Sequence, residues 1–342
     1  MPRAIPSDAG AGLPEFGNRP SEEERMPLVP ADGKNVASAA RLLREGGVVA
    51  FPTETVYGLG ALAFDALAVA RVFEIKRRPS FDPLIVHVLD EAMLERVAMG
   101  LSPGSAALAR RFWPGPLTLV LSKRPEVPEI VTAGLDSVAV RMPSHPVARA
   151  LLEAAGAPIA APSANPFGGL SPTRAEHVAK GLGDAVDLIL DGGPSERGIE
   201  STIVAMEPRP TLLRPGAIAA EEIEAIAGPL ARESDRGAAP RAPGQLPQHY
   251  APATPLRLID PALVPAAQRS RAGALTLNEE AAGYAAVRLL SRRGDLREAA
   301  AGFFEALHEL DALGLERIDA APFPRTGLGL AMTDRLERAA GR

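Results

Sequence analysis

The chain has 342 residues, with 37 Lys plus Arg against 42 Asp plus Glu, a net charge of −5, and no cysteine. Its length allows a core of ordinary size and favours two domains over one. Without thiols there can be no disulfide, thiolate nucleophile or Cys-ligated metal centre, and the acidic balance argues against coating nucleic acid by bulk positive charge.

Residues 1–28 are rich in Pro, Gly and charge and lack periodicity, which predicts a disordered tail with Met26 as an alternative start. In "NVASAARLLREGG", Val36, Ala39, Leu42 and Leu43 fall on one helical face, and glycines close the segment. "VVAF" reads as a strand, "DALAVARVFEIKRR" as a helix and "LIVHV" as a strand. "SAALARRFW" (helix), "LTLVLS" and "SVAVRM" (strands) and "HPVARALLEAAG" (helix) follow, then the strands "IAAPS", "DLILDGG" and "STIVAM". Strands that succeed one another directly among helices favour a mixed sheet, so residues 29–227 form one α/β domain. The Gly-, Pro- and charge-rich stretch 228–254 reads as a linker. Beyond it, "TPLRLID", "AGALTL", "LREAAAGFFEALHELDALG", "LERIDAAPF" and "DRLERAAGR" predict a smaller α/β domain over 255–342.

Several strand ends carry polar residues and glycine. "FPTETVYGLG" (51–60) brings Thr53, Glu54, Thr55 and Tyr57 to the end of a strand. Gly58, Gly60 and Ala63 match G-x-G-x-x-A, but the intervening polar residues and the lack of an acidic ribose partner speak against a dinucleotide site and for a cleft-lining loop. Lys76, Arg77 and Arg78 end a helix, where such a triplet ordinarily complements the dipole. His87 interrupts an apolar strand and needs a hydrogen-bond partner. "IAAPSANPFGGLSPT" crowds Ser163, Asn165, Ser171 and two glycines after a strand, a composition shared by polyanion pockets and ordinary turns. Arg141, Ser201, Thr202 and Arg214 mark further strand ends, and together these ends form an active-cleft pattern. Walker A and G-x-S-x-G motifs are absent, and none of the five histidines lies in an H-E-x-x-H spacing, so no dedicated protein-ligated metal site is expected. No run of about 18 apolar residues exists and the N-terminus lacks a signal-peptide core, so a cytoplasmic protein without membrane contact is expected.

The stretches "GGVVAFPTETVYGLGA", "KRRPSFDPLIVHV", "FWPGPLTLVL", "VAVRMPSHP", "APSANPFGGLSPT", "DGGPSERGIESTIV", "LLRPGAI", "HYAP" and "TGLGLAMTDRL" occur in one order from residue 46 to about 337. Together they closely resemble the threonylcarbamoyl-AMP synthase family, YrdC-like, in its long two-domain form. The resemblance implies a twisted mixed sheet enclosing a large cleft, a small Rossmann-like second domain, and a linker that reaches back to the cleft. It implies that L-threonine, bicarbonate and ATP, with Mg2+, give threonylcarbamoyl-AMP and pyrophosphate for a downstream tRNA-modifying transferase. By the family pattern, threonine contacts fall at Thr53, Thr55, His87, Arg141, Ala161 and Ser201. Nucleotide contacts fall at Lys76, Arg78, Asp82, Ser137, Ser163, Asn165, Ser171, Arg214 and Tyr250, with Lys76 and Arg78 neutralising phosphate charge from a cleft rim.

The chain departs from that pattern at Arg77, where glycine is more frequent, at Asp82, where asparagine is, and in the linker "APGQLPQHYAP". An aspartate at 82 is expected to repel phosphate unless magnesium intervenes. The rival readings are a module that holds double-stranded RNA or tRNA on a positive patch without chemistry, and a nucleotide-binding regulatory domain.

Overall fold

A computed structural model describes residues 28–232, 241–246 and 249–341. The tail expected at 1–28 lies outside the described residues, except for Leu28, which opens the first strand. Eleven strands form the larger, twisted sheet: β1 (Leu28–Pro30), β2 (Val49–Phe51), β3 (Gly58–Leu62), β4 (Ile85–His87), β5 (Leu117–Ser122), β6 (Ser137–Arg141), β7 (Ile159–Ala160), β8 (Leu188–Asp191), β9 (Thr202–Ala205), β10 (Thr211–Arg214) and β11 (Ala231–Arg232). Their order is β1-β8-β2-β3-β7-β4-β6-β5-β9-β10-β11. β2, β3, β7 and β4 pair antiparallel in turn, whereas β4–β6 and β5–β9 are parallel, so the sheet is mixed as expected.

Helix starts are set by side chains that take up free backbone N–H groups. Asp32 caps Gly33–Arg44, Asp65 caps Ala66–Lys76, Asp90 caps Glu91–Val97 and Ser102 caps Pro103–Phe112. Gly33–Arg44 buries Val36, Ala39, Ala40 and Leu43 and packs against Pro146–Ala155.

One element differs from the sequence reading. Residues 58–62, expected within a loop, form β3, which folds back antiparallel on β2 with Phe51 opposite Gly58. Only the bend between the two strands is loop. Gly60 is required for packing inside the sheet, because a Cβ there would lie 2.6 Å from Ile159 and 2.7 Å from Phe51.

The second domain holds four strands, β12 (Leu256–Leu258), β13 (Ala272–Thr276), β14 (Ala286–Leu289) and β15 (Arg317–Ala320), in the order β12-β15-β13-β14 with every pair parallel. The amphipathic helix Leu296–Asp311 links β14 to β15, and Gly327–Ala340 follows β15. Phe303, Phe304, Leu307 and Leu310 of the first helix and Ala331, Met332 and Leu336 of the second are buried in one core. Val56, Leu170 and Ile199 of the larger domain and Tyr250 and Ala251 of the linker belong to that same core. The domains therefore share apolar packing. Gly198 sits where they meet, at φ +62°, with a Cβ position only 2.1 Å from the Ala301 carbonyl oxygen.

Candidate active site

The hollow lies on one face of the large sheet, where the β2–β3 bend, the segment after β7, β4, the end of β6, the start of β9 and the end of β10 converge. The empty space among these walls, open solvent included, is about 530 Å³. Of the residues named from sequence, Thr53, Thr55, Arg78, His87, Arg141, Ala161, Ser163, Ser201, Arg214 and Tyr250 line it. Lys76, Asp82, Asn165 and Ser171 stand behind the wall and hold it. Ser137 lies at the other end of β6, on the same sheet face as Ala139 and Arg141 but outside the lining.

The wall from β2 is built by a directed chain of protons. Arg141 Nη1 donates to Thr55 Oγ1 at 2.8 Å. Thr53 Oγ1 lies 2.9 Å from Thr55 Oγ1 and donates to the Val56 carbonyl at 2.6 Å, so the Thr55 hydroxyl proton goes to Thr53. Arg141 Nη2 forms a buried ion pair with Glu54 Oε1 at 2.6 Å. Burial pushes the Glu54 carboxyl up, but attraction and hydrogen bonding from Arg141, with Ser144 N–H, outweigh it and bring the net shift down. His87 is held neutral: burial first, and Arg141 second, bring it down to about 3. Its Nδ1 is buried and has no partner among the described residues.

The basic triplet divides at Arg77, which ends its helix in the left-handed region at φ 53°. That turn leaves Arg77 exposed and brings Lys76 and Arg78 inward. Both were expected at a rim, and here the structure differs: Lys76 is 1% and Arg78 8% exposed. A triplet serving only the helix dipole would stay in water. Lys76 Nζ donates to the carbonyls of Ser163 and Asn165, tying the loop after β7 in place. Burial, then the charge of Arg78, holds the Lys76 ammonium well below its ordinary value. Arg78 donates to the carbonyls of Asp82 and Pro83 and pairs with the Asp82 carboxylate at 2.9 Å. The aspartate expected to repel phosphate is thus already matched by a cation. Burial still pushes its carboxyl up, against Arg78, Lys76 and Arg214.

The opposite wall joins β9 to β10. Thr118 Oγ1 meets Ser201 Oγ at 2.8 Å, and Arg214 Nη2 donates to Ser201 Oγ at 3.1 Å and to its carbonyl at 2.9 Å. Gly216 is indispensable here, since a Cβ would fall 2.4 Å from the Glu200 carbonyl oxygen. The linker closes the hollow: Pro243 accepts from Arg214 at 3.2 Å, and Pro243, Gly244, His249 and Tyr250 all line the space. Beside it, Ile85, Val120, Ala139, Ile203, Ala205 and Leu213 make an apolar strip on the sheet face, covered by linker residue Ala242.

Two charged residues escaped the sequence reading. Glu200 lines the hollow, accepts from Ser171 Oγ and pairs with Arg335 of the second domain at 2.9 Å. The signal for Arg335 was present: it takes a turn of the core face shared by Leu328, Met332, Leu336 and Ala339, where a charge without a partner would be prohibitive. Each carboxylate at the hollow is therefore matched, Glu54 by Arg141, Asp82 by Arg78 and Glu200 by Arg335. Among the described residues Lys76 and Arg214 have no ion-pair partner of their own: they donate to carbonyls and, for Arg214, to the Ser201 hydroxyl as well. Such a hollow suits an anion. Among the described residues no group of three or more His, Asp or Glu is placed to hold a metal ion.

Residues 41–216 match a family model described as "Telomere recombination" (Sua5_yciO_yrdC), and residues 218–341 match "Threonylcarbamoyl-AMP synthase, C-terminal domain". The chain is 46% identical over 321 residues to threonylcarbamoyl-AMP synthase of Bacillus subtilis (strain 168), covering 90% of this chain and 93% of that one. It is 42% identical over 319 residues to the Pyrococcus abyssi enzyme of the same name, covering 89% and 93%. The crystal structure of P. abyssi Sua5 complexed with L-threonine superposes with a TM-score of 0.85 at 40% identity, covering 92% of this chain and 96% of that one. The motif order read from sequence, the mixed sheet with a parallel second domain and these likenesses agree, and the chain belongs to the two-domain threonylcarbamoyl-AMP synthase family.

Proposed function

We propose that the protein joins L-threonine, bicarbonate and ATP into L-threonylcarbamoyl-AMP and pyrophosphate, the product serving a separate transferase that modifies tRNA. The observation that carries this reading is one hollow whose lining brings Thr55, His87, Arg141 and Ser201 together with Arg78, Arg214 and the linker's Tyr250. Arg141, whose guanidinium lines the hollow, takes the threonine carboxylate. The neutral His87 Nδ1 accepts from the threonine hydroxyl. Ser201, already supplied with a proton donor in Arg214, completes the amino acid's surroundings.

The threonine amine attacks bicarbonate with loss of water, or CO2 derived from it with loss of a proton, to give the carbamate, whose oxygen then displaces pyrophosphate from the α-phosphorus. No protein nucleophile is needed. Catalysis comes from positioning and from preset positive charge, with Arg78 and Arg214 at the phosphates and Lys76 bracing the loop that carries Ser163. Magnesium enters with the triphosphate as part of the substrate. The apolar strip at Ala139 suits a purine ring, with Ser137 at its far edge, once the linker shifts. Carbamates decompose in water, so closure by the linker also protects the intermediate. An RNA-binding module without chemistry is not favoured, because the cations that would hold a backbone are buried inside the hollow.

Pyrophosphate release by the purified chain tests the reading. It should require threonine, bicarbonate and MgATP together; release that persists without threonine or bicarbonate would refute it.

A further inference from the structure

Arg335 belongs to the second domain, yet it is wholly buried at the wall of the first. Its Nε donates to Glu200 Oε2 at 2.9 Å, its Nη2 to the Pro215 carbonyl at 2.9 Å, and its Nη1 to Asp334. Its guanidinium carbon stands 4.7 Å from the centre of the Tyr250 ring. Glu200 immediately precedes Ser201 and β9, and Pro215 immediately follows Arg214 and β10. One planar fork therefore ties together the two chain ends that present Ser201 and Arg214, while its face supports the linker tyrosine. Tyr250 is held at φ +63°, unfavourable for a residue with a Cβ, and so needs surrounding contacts to keep it there. His249 on one side and Phe304 on the other complete that setting, and Ala251 N–H bonds to the Gly168 carbonyl at 2.8 Å. No substitution by a smaller cation reproduces the arrangement, since an ammonium lacks both the fork and the flat face.

We infer that Arg335 is a positioning residue for the adenylation site: through the Tyr250 ring that its guanidinium faces, the second domain sets the linker over the hollow. This inference rests on the proposed synthase reaction. The second domain is then a working wall of the site.

The test is steady-state kinetics on the full chain with Arg335→Met, Tyr250→Leu and the double variant, monitored by pyrophosphate release. If Arg335 acts through Tyr250, Arg335→Met lowers kcat/KM for ATP at least tenfold in the parent chain. It then changes it less than twofold when Tyr250→Leu is already present, because the two share one effect. Arg335→Lys should recover only part of the loss. A purely structural role would give equal fold-losses in both backgrounds at matched folded fraction, and that result would overturn the inference, as would an Arg335→Met protein within twofold of the parent. Should Arg335→Met not fold, Arg335→Lys replaces it in the same cycle, with at least a threefold loss expected in the parent background and less than twofold beside Tyr250→Leu. Failure of the parent chain to release pyrophosphate with all three substrates would instead strike the proposed function itself.

Discussion

Removing Arg141 separates the structural from the chemical role of the site. Glu54 is buried and its carboxylate depends on Arg141 at 2.6 Å, so Arg141→Ala leaves an uncompensated charge inside the protein. Breaking a buried pair in this way costs about 3–5 kcal/mol. At about 2–4 °C per kcal/mol for a domain near this size, the midpoint of thermal unfolding should fall by about 6–20 °C. The Thr55 hydroxyl also loses its donor, and the proton chain through Thr53 to the Val56 carbonyl loosens. Pairing Arg141→Met with Glu54→Gln removes both charges at nearly constant volume and should recover most of that stability. It cannot restore a cationic donor for a carboxylate, so the KM for threonine should stay at least ~100-fold above the parent's, equivalent to the ~2.7 kcal/mol of a lost charged contact. Calorimetry and threonine-dependent pyrophosphate release, measured on the same preparations, read the two effects separately. An Arg141→Ala protein that melts within 2 °C of the parent, on the order of measurement scatter, would refute the structural half. A double variant with the parent's threonine KM would refute the chemical half.

Other expectations follow from the same geometry. Valine should be rejected by ~10⁴-fold or more in kcat/KM, because His87 Nδ1 would face a methyl group, whereas serine should be disfavoured by only ~10–200-fold; equal use of valine would disprove the role given to His87. Lys76→Ala should cost about 1–3 kcal/mol of stability as well as activity, since it strips the carbonyls of Ser163 and Asn165 of their donor; denaturant titration measures the first, and an unchanged midpoint would contradict it. Glycine at Gly216 should be essential, with Gly216→Ala losing activity and folded protein alike, because its Cβ meets backbone that cannot move.

His177 and His308 stack at 3.8 Å across the two domains, and burial brings each down to about 4. The unfolded chain binds protons near pH 6.5 where the folded chain does not. Stability from this pair is therefore complete above 6.5 and is lost as pH falls toward 4. The melting temperature should drop over that window less steeply in a His177→Gln, His308→Gln double variant, and parallel pH curves would exclude the pair as the cause.

Much of the fold was legible because its signals are local. The apolar face of Gly33–Arg44, the Asp65 cap and the apolar run in "SVAVRM" each report on themselves. β3 was missed because its glycines read as a loop, although they are there to let Phe51 and Ile159 pack against the strand. The lining of the hollow was recognisable from polar residues at strand ends, and Arg78, His87, Arg141 and Ser201 do converge. What could not be read was depth and partnership. Whether Lys76 faces solvent or two carbonyls depends on the left-handed turn at Arg77, and the match of Glu200 with Arg335 spans two domains. Long-range pairing of charges leaves no periodic trace.

The central claim is that one hollow joins an amino acid, a one-carbon acid and a nucleotide. Mass spectrometry of the intact adenylate, made from ¹³C-bicarbonate and ¹⁵N-threonine, tests it most directly. The expected product carries one of each label together with AMP; an adenylate lacking either label, or AMP formed without such a product, would contradict it.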